Sequence, residues 1–464
     1  MQENVSAFYK QLKGKKVAFI GAGVSHRELI AQFCEKGAQV TLCDKKAQAA
    51  DFGGYAAQLQ KLGVRLSLGE QYLDGLQGQE MIMRTPGFEY FTPALQQAKK
   101  AGSLVTSEME LFFELCPCKI YAVTGSDGKT TTTTLISEML KAAGKTVWLG
   151  GNIGRALLPI VGEVSPENVA VVELSSFQLI SMTHSPDVAV VTNVTPNHLD
   201  HHKDMQEYID AKRNILLYQK PGSKAVLGYH NDITRGMEKD VTGRRLWFTR
   251  HERVADGACL NENGELCLAE NGVLTPVLPM RDIRIPGLHN VEHVLAAMAA
   301  VAGEVSPAVM ARTAREFGGV EHRIELVREL DGVRWYNDSI ASSPTRTIAG
   351  LRSFAQKLII IAGGYDKNIP YAPLAPEIIA HVKTLILMGA TGPKIEKAVR
   401  EHPDFAQSGL SILHAADMEE AVQLARKAAQ PGDVVSLSPA SASFDLYANF
   451  EERGRHFKEL VKAL

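Results

Sequence analysis

Long apolar runs are missing from this chain. No uninterrupted stretch reaches the ~18 residues that a membrane helix needs. The leading MQENVSAFYKQLKGKK has no apolar signal core. A cytoplasmic protein with no membrane insertion is the expectation. Cysteine is scarce. The six are Cys34, Cys43, Cys116, Cys118, Cys259 and Cys267, with no C-x-x-C pair and no Cys/His group at zinc-finger spacing. That excludes a disulfide-stapled miniprotein and leaves Cys116-Pro117-Cys118 as packing at a domain edge. Charge of one sign is also lacking: 50 Lys and Arg against 52 Asp and Glu leave −2. No global basic field exists to hold nucleic acid, although a local phosphate pocket remains open. There is no internal repeat and no low-complexity tract. What is present is globular: 464 residues, 45% hydrophobic and 22% charged, enough for about three domains at roughly 150 residues each.

Strand and helix patterns alternate over the first hundred residues. Lys16–Ile20 reads as a buried strand, Gly21-Ala22-Gly23 as a turn, 28–35 as a helix ending at Gly37, and 38–43 as a second strand closed by Asp44. Strands at 64–68 and 80–84 follow. A second unit starts near Lys119, with a strand at 120–123, a glycine-bearing loop at 125–129 and a helix at 130–143. Residues 169–172 and 188–191 are unbroken runs rich in valine, the mark of strands buried on both faces. Residues 204–219 read as a long helix, 245–277 as an antiparallel patch with Asn-Gly turns, and 288–301 as a helix. A third unit begins near Gly318-Gly319, with apolar strands at 357–361, 384–388 and 434–437. Strands separated by helices imply parallel sheets, whose ligands sit at the carboxyl ends of the strands.

The sharpest chemical signal is Thr124-Gly125-Ser126-Asp127-Gly128-Lys129-Thr130-Thr131, between a strand and a helix. Glycines there let backbone N–H groups close around phosphate oxygens, and the helix N-terminus adds partial positive charge. Lys129 would reach the β/γ-phosphates and the Thr130 hydroxyl would hold Mg²⁺. Val123 stands where the usual pattern has its first glycine. Phosphoryl transfer needs a carboxylate at a nearby strand end, and Glu173 offers one. Taken alone, Glu173 also reads as a surface residue at a strand terminus. The loop Thr192-Asn193-Val194-Thr195-Pro196-Asn197-His198-Leu199-Asp200-His201-His202 follows another strand and reads equally as a polar loop with solvated histidines. Gly21-Ala22-Gly23-Val24-Ser25-His26 is half of a dinucleotide fingerprint, with Asp44 placed for a ribose contact and His26 where the third glycine belongs. It suits a nucleotide diphosphate, or a tight turn with no ligand.

Together these pieces resemble the Mur ligases. The motifs run in that family's order over nearly the whole chain: the phosphate loop, Glu173-Leu174-Ser175-Ser176-Phe177-Gln178-Leu179, Asn193-Val194-Thr195 with His198 and Asp200, Gly287-Leu288-His289-Asn290, Glu321-His322-Arg323, Asn337-Asp338-Ser339, and 437–443. The resemblance implies three α/β domains. These are an N-terminal Rossmann-like domain over 1–115 for the UDP substrate, a central P-loop domain with a mixed sheet over 116–318 for ATP, and a C-terminal Rossmann-like domain over 319–464 for the amino acid. It implies an ATP-dependent ligase of peptidoglycan precursor synthesis, a monomer, joining D-glutamate to UDP-N-acetylmuramoyl-L-alanine with two Mg²⁺ ions. Carried over by position, Lys129, Glu173, His198 and Lys212 are catalytic. Thr130, Glu173, His198 and a carbamylated Lys212 are the metal ligands. Asn290, Arg323 and Asp338 join residues 124–131 at ATP. Gly23, Val24, Ser25, Asp44, Lys45, Thr85 and Asn152 meet the UDP substrate, and Lys367, Ser443, Phe444 and Phe450 the amino acid. From the sequence itself, Lys212 is a surface lysine on a helix. Three departures are Ile340, where the family often has lysine, Ser342, where it often has threonine, and Asn197, where an acidic residue usually precedes the histidine. A related amide ligase such as folylpolyglutamate synthetase would lack the domain carrying residues 21–25, and a nucleotide-binding module without ligase activity is the reading from another class. Gly318-Gly319 is the expected hinge for closing the C-terminal domain.

Overall fold

The computed structural model describes residues 3–196, 201–367 and 369–464. Asn197, His198 and Asp200 lie outside the described residues. By its contacts the chain divides into two units, one of Met1–Met280 with Glu292–Thr313, the other of Arg281–Val291 with Ala314–Leu464.

Two sheets build the first unit among the described residues. The first has β1 (Lys16–Ile20), β2 (Gln39–Asp44), β3 (Arg65–Leu68), β4 (Met81–Arg84) and β5 (Leu104–Thr106), all parallel, in the order β3-β2-β1-β4-β5. The order reverses between β1 and β4, and the crevice at such a switch point is where ligands of doubly wound sheets bind. The second sheet has β6 (Lys119–Thr124), β7 (Val147–Gly151), β8 (Val169–Glu173), β9 (Val188–Val191), β10 (Lys224–Gly228), β11 (Arg244–Thr249), β12 (Gly257–Leu260), β13 (Glu265–Glu270) and β14 (Val273–Pro279). Its order is β14-β13-β12-β11-β10-β9-β6-β8-β7. The valine runs of β8 and β9 flank β6 and are buried throughout, as unbroken apolar strands must be. The antiparallel patch expected at 245–277 is only partly so: β11 runs parallel to both neighbours, and antiparallel pairing begins at β12–β13. Asn263-Gly264 and Asn271-Gly272 form the turns, with Gly264 and Gly272 at φ 73° and 80°.

Among the described residues the second unit holds one sheet: β15 (Glu325–Leu330), β16 (Val333–Asn337), β17 (Leu358–Gly363), β18 (Val382–Met388), β19 (Ser411–His414) and β20 (Val434–Leu437), in the order β15-β16-β20-β17-β18-β19. Only the β15–β16 pair is antiparallel. Apolar clusters fill both faces, one around Leu358, Ile360 and Leu385, the other around Ile359, Ile361 and Val435. Alternate residues of β17 thus serve opposite faces, following the two-residue period of a strand.

Among the described residues no helix is long and apolar enough to cross a membrane.

Candidate active site

Register assembles the centre of the first unit. Val123 lies opposite Glu173, and Thr124 opposite Val191. The loops leaving β6, β8 and β9 therefore start side by side at the carboxyl ends of adjacent parallel strands. The loop after β6 turns into the helix Lys129–Ala142, with Gly128 as its N-cap at φ 76°. Only glycine serves there: a Cβ on Gly128 would lie 2.0 Å from His293 Nε2, and one on Gly125, at φ 149°, would lie 1.8 Å from Thr192 Oγ1. The loop is pinned from the strand beside it. Asn193 O accepts from Ser126 N at 2.8 Å, Asn193 Oδ1 accepts from Asp127 N at 3.0 Å, and the Thr192 hydroxyl donates to Asp127 O at 2.6 Å. The Ser126 hydroxyl donates to Thr195 O at 2.9 Å and sits 2.9 Å from Tyr208 Oη. A loop held at so many points has its curvature set before any ligand arrives.

Four predicted residues, Lys129, Thr130, Asn152 and Glu173, meet at this loop. The Thr130 hydroxyl donates to Glu173 Oε2 at 2.7 Å, and Asn152 Nδ2 donates to Glu173 Oε1 at 2.7 Å. Asn152, expected to face the muramoyl substrate, here orients the carboxylate. Glu173 is buried rather than a surface group at a strand end. Lys129 Nζ donates to the Gly125 and Ser126 carbonyls at 3.1 and 2.9 Å.

Lys212 corrects the sequence reading. It is 1% exposed, not a surface lysine. Its helix, Met205–Leu217, buries Tyr208, Ala211, Lys212, Ile215 and Leu216, the i, i+3, i+4, i+7, i+8 stripe of an amphipathic helix. That spacing was legible in the sequence and places Lys212 amid the apolar face. Its Nζ donates to Gly125 O at 2.8 Å and to Thr124 Oγ1 at 3.3 Å. Burial holds its pKa well below the usual lysine value, and the neighbouring Lys129 charge lowers it further, against the carboxylates of Glu173 and Asp127.

For Mg²⁺ the donor chemistry fits. A threonine hydroxyl and a carboxylate, held 2.7 Å apart beside a phosphate-type loop, are the hard oxygen donors that this ion prefers, with phosphate oxygens and water completing its shell. Among the described residues no group of three His, Cys, Asp or Glu forms a metal cluster on its own.

At the N-terminal sheet, Gly23, Asp44, Lys45 and Thr85 lie at or just beyond the carboxyl ends of β1, β2 and β4, and Val24 and Ser25 open the helix Val24–Glu35. Asp44 Oδ2 accepts from Ala22 N at 3.3 Å, and its Oδ1 from Lys46 N at 3.1 Å, so this carboxylate shapes the turn. His26 explains the missing third glycine. Its ring is buried edge-on against Phe19 with Nδ1 2.9 Å from Gly21 O. Burial pushes its pKa down to about 4, so the ring is neutral near pH 7.

The second unit carries Asn290, Arg323, Asp338, Lys367, Ser443, Phe444 and Phe450. Asp338 follows β16 and accepts from Ile324 N at 3.2 Å; burial pushes its pKa up to about 7. Arg323 is exposed, and Asn290 Nδ2 donates to Pro286 O at 2.6 Å. Lys367 Nζ lies 5.6 Å from the centre of the exposed Phe444 ring, while Ser443 is buried. Phe450 opens the helix Phe450–Ala463, and its carbonyl accepts from the Ser339 hydroxyl at 2.7 Å. Arg453, which the sequence did not single out, is 2% exposed and ties Ser339, Ser441 and Ala442 together through their backbone carbonyls.

Comparison with known proteins supplies three family matches. Residues 15–107 match "Mur ligase MurD-like, N-terminal domain", 123–301 match "Mur ligase middle domain", and 322–441 match "Mur ligase, glutamate ligase domain". Among relatives, proteins named UDP-N-acetylmuramoylalanine–D-glutamate ligase from Acetivibrio thermocellus and Clostridium beijerinckii are 51% and 49% identical, each over 100% of both chains. Two solved structures share the fold. The UDP-N-acetylmuramate-alanine ligase MurC from Thermotoga maritima has a TM-score of 0.56 at 16% identity, covering 97% of this chain and 99% of that one. MurF from Acinetobacter baumannii has a TM-score of 0.57 at 15% identity, covering 98% of each.

Proposed function

The chain belongs to the Mur ligase family, and from that premise we propose that it joins D-glutamate to UDP-N-acetylmuramoyl-L-alanine at the expense of ATP, in the cytoplasm and as a monomer. The observation that carries the reading is the convergence of Lys129, Thr130, Glu173 and Lys212 on one phosphate-type loop. The division of labour follows the three spans 1–115, 116–318 and 319–464, for sugar nucleotide, ATP and amino acid.

A carboxylate is a poor electrophile, because its leaving group would be an oxide. An oxygen of the alanyl carboxylate attacks the γ-phosphorus of ATP and ADP leaves, giving an acyl phosphate. The D-glutamate amine attacks the acyl carbon and loses a proton, and the tetrahedral intermediate expels phosphate. Catalysis is then mostly placement and charge neutralisation. Backbone N–H groups of residues 125–130 cradle the phosphates, and Lys129 swings from the Gly125 and Ser126 carbonyls to their charge. Thr130 would hold the Mg²⁺ at the ATP phosphates, with Glu173, His198 and a carbamylated Lys212 as the ligands of a second ion. Such ions supply positive charge that offsets repulsion between the triphosphate and the anionic acceptor. Asn152 fixes the Glu173 carboxylate. The lowered pKa of Lys212 favours the neutral amine, the form that adds CO₂ to make a carbamate. Asn290, Arg323 and Asp338 would serve the nucleotide, and Lys367, Ser443, Phe444 and Phe450 the amino acid.

The test is phosphate release with UDP-N-acetylmuramoyl-L-alanine against a panel of amino acids. Release that requires both the sugar nucleotide and D-glutamate supports the reading. Release with another amino acid alone, or without any, overturns it.

A further inference from the structure

Arg84 closes β4, one residue before Thr85-Pro86-Gly87. It is 1% exposed. One guanidinium nitrogen, Nη1, donates to the carbonyls of Thr85, Pro86 and Phe88 at 3.4, 3.1 and 3.2 Å. The other, Nη2, donates to Phe177 O at 2.9 Å and to the Ser181 hydroxyl at 3.0 Å. The first three acceptors shape the turn after β4. The other two belong to the short helix Ser176–Leu179 and its exit, a few residues beyond Glu173. A planar fork suits such an array of acceptors, whereas an ammonium is a single point.

The same helical turn is also held by His202. The His202 ring stacks on Phe177 with centroids 5.2 Å apart and planes at 4°. His202 Nε2 lies 2.9 Å from Ser176 Oγ, and Nδ1 lies 3.0 Å from Glu207 Oε1. Glu207 sits in the first turn of the helix that carries Lys212. Hydrogen bonds and one ring stack thus link the turn at 85–87, through Arg84, the helix Ser176–Leu179 and His202, to the Lys212 helix. A cavity of about 710 Å³ borders this chain, lined in part by Arg84, Phe88, Tyr90, Phe91, Phe177 and Ile180.

We propose that Arg84 is a positioning residue: it sets the sugar-nucleotide turn relative to the Glu173 strand end, and so places the acceptor carboxylate for phosphorylation. This rests on the functional reading above. In full-length protein, Arg84→Met, Arg84→Lys and Ser181→Ala are assayed with the sugar nucleotide and ATP varied separately, with calorimetric binding of the sugar nucleotide and thermal melting alongside. Arg84→Met should raise KM for the sugar nucleotide about tenfold or more while KM for ATP stays within about twofold. Arg84→Lys should fall between Arg84→Met and wild type, and Ser181→Ala should weaken sugar-nucleotide binding about two- to threefold with unchanged melting. A rise of both KM values together, or a lower melting temperature with both KM values unchanged, overturns the proposal. Should Arg84→Met fail to fold, Ser181→Ala decides by the same split. Wild-type protein with no D-glutamate-dependent turnover would instead sink the functional reading, and sugar-nucleotide binding would still report on Arg84.

Discussion

Replacing Lys212 by methionine separates a structural lysine from a chemical one. The thioether chain fills nearly the same volume, so no cavity opens. Two hydrogen bonds disappear, at about 1 kcal/mol each. Gly125 O is not orphaned, because Lys129 Nζ also donates to it at 3.1 Å. The Thr124 hydroxyl keeps its own bond to Leu174 O at 2.8 Å. Against the loss stands the desolvation of a buried amine, which burial already holds well below its usual pKa. The two nearly cancel, so the expected stability change is within about 1–2 kcal/mol, a melting shift of roughly 4 °C or less in a chain of this size. Activity should behave differently. A lysine that supplies a carbamate ligand leaves nothing in its place, and turnover should fall about 100-fold or more, near 2.7 kcal/mol of barrier. Phosphate release and thermal melting are measured on the same preparation, then repeated with added formate or acetate, which should restore part of the activity. Turnover within about threefold of wild type, or a loss matched by melting and indifferent to carboxylates, would refute the reasoning.

Lys129→Ala should abolish phosphate release yet leave sugar-nucleotide affinity nearly intact by calorimetry, because the residues assigned to that ligand lie mostly on another sheet; equal loss of both would break the assignment. His26, with a folded pKa of about 4 against an ordinary 6.5, contributes stability that is present above about pH 6.5 and lost as pH falls toward 4, by roughly 3 kcal/mol. Urea unfolding of His26→Gln should be flatter than wild type across that window; parallel curves would count against a buried neutral ring. Asp338, with its pKa raised to about 7 from 3.8, favours the folded state most below about pH 4 and loses that contribution as pH rises through 7. Asp338→Asn should therefore match wild type near pH 4 and exceed its stability at pH 8, by up to roughly 4 kcal/mol. A variant less stable at pH 8 would show that the carboxylate is compensated there.

The strands that position the site were largely legible, because a buried parallel strand must be apolar on both faces. Lys16–Ile20, Val188–Val191 and Val434–Leu437 fall where their apolar runs stand. Short or edge strands were not. Leu104–Thr106 has three residues, Val147–Gly151 ends in two glycines, and Ser411–His414 lies at a sheet edge with polar ends. Each gains its identity from neighbours distant in sequence. The hairpin Glu325–Leu330 with Val333–Asn337 mixes charge into its alternation, which masks the pattern. The phosphate loop was legible from its glycines. Glu173 reads weakly on its own; its burial beside Thr130 emerges only where β8 pairs with β6. Lys212 was misread because a single charged residue was weighed without its stripe. The long-range contacts of Arg84, His202 and Arg453 were not legible, since Phe177, Ser176 and Ser339 lie 93, 26 and 114 residues away across the fold, where tertiary pairing is decided.

The proposed reaction depends on direct phosphorylation of the acceptor carboxylate. It is tested most directly with sugar nucleotide carrying ¹⁸O in its alanyl carboxylate, turned over with ATP and D-glutamate, with the released phosphate examined by mass. Each phosphate should carry one ¹⁸O, because one carboxylate oxygen leaves with it. Phosphate free of ¹⁸O, formed alongside the amide product, would contradict the acyl-phosphate route.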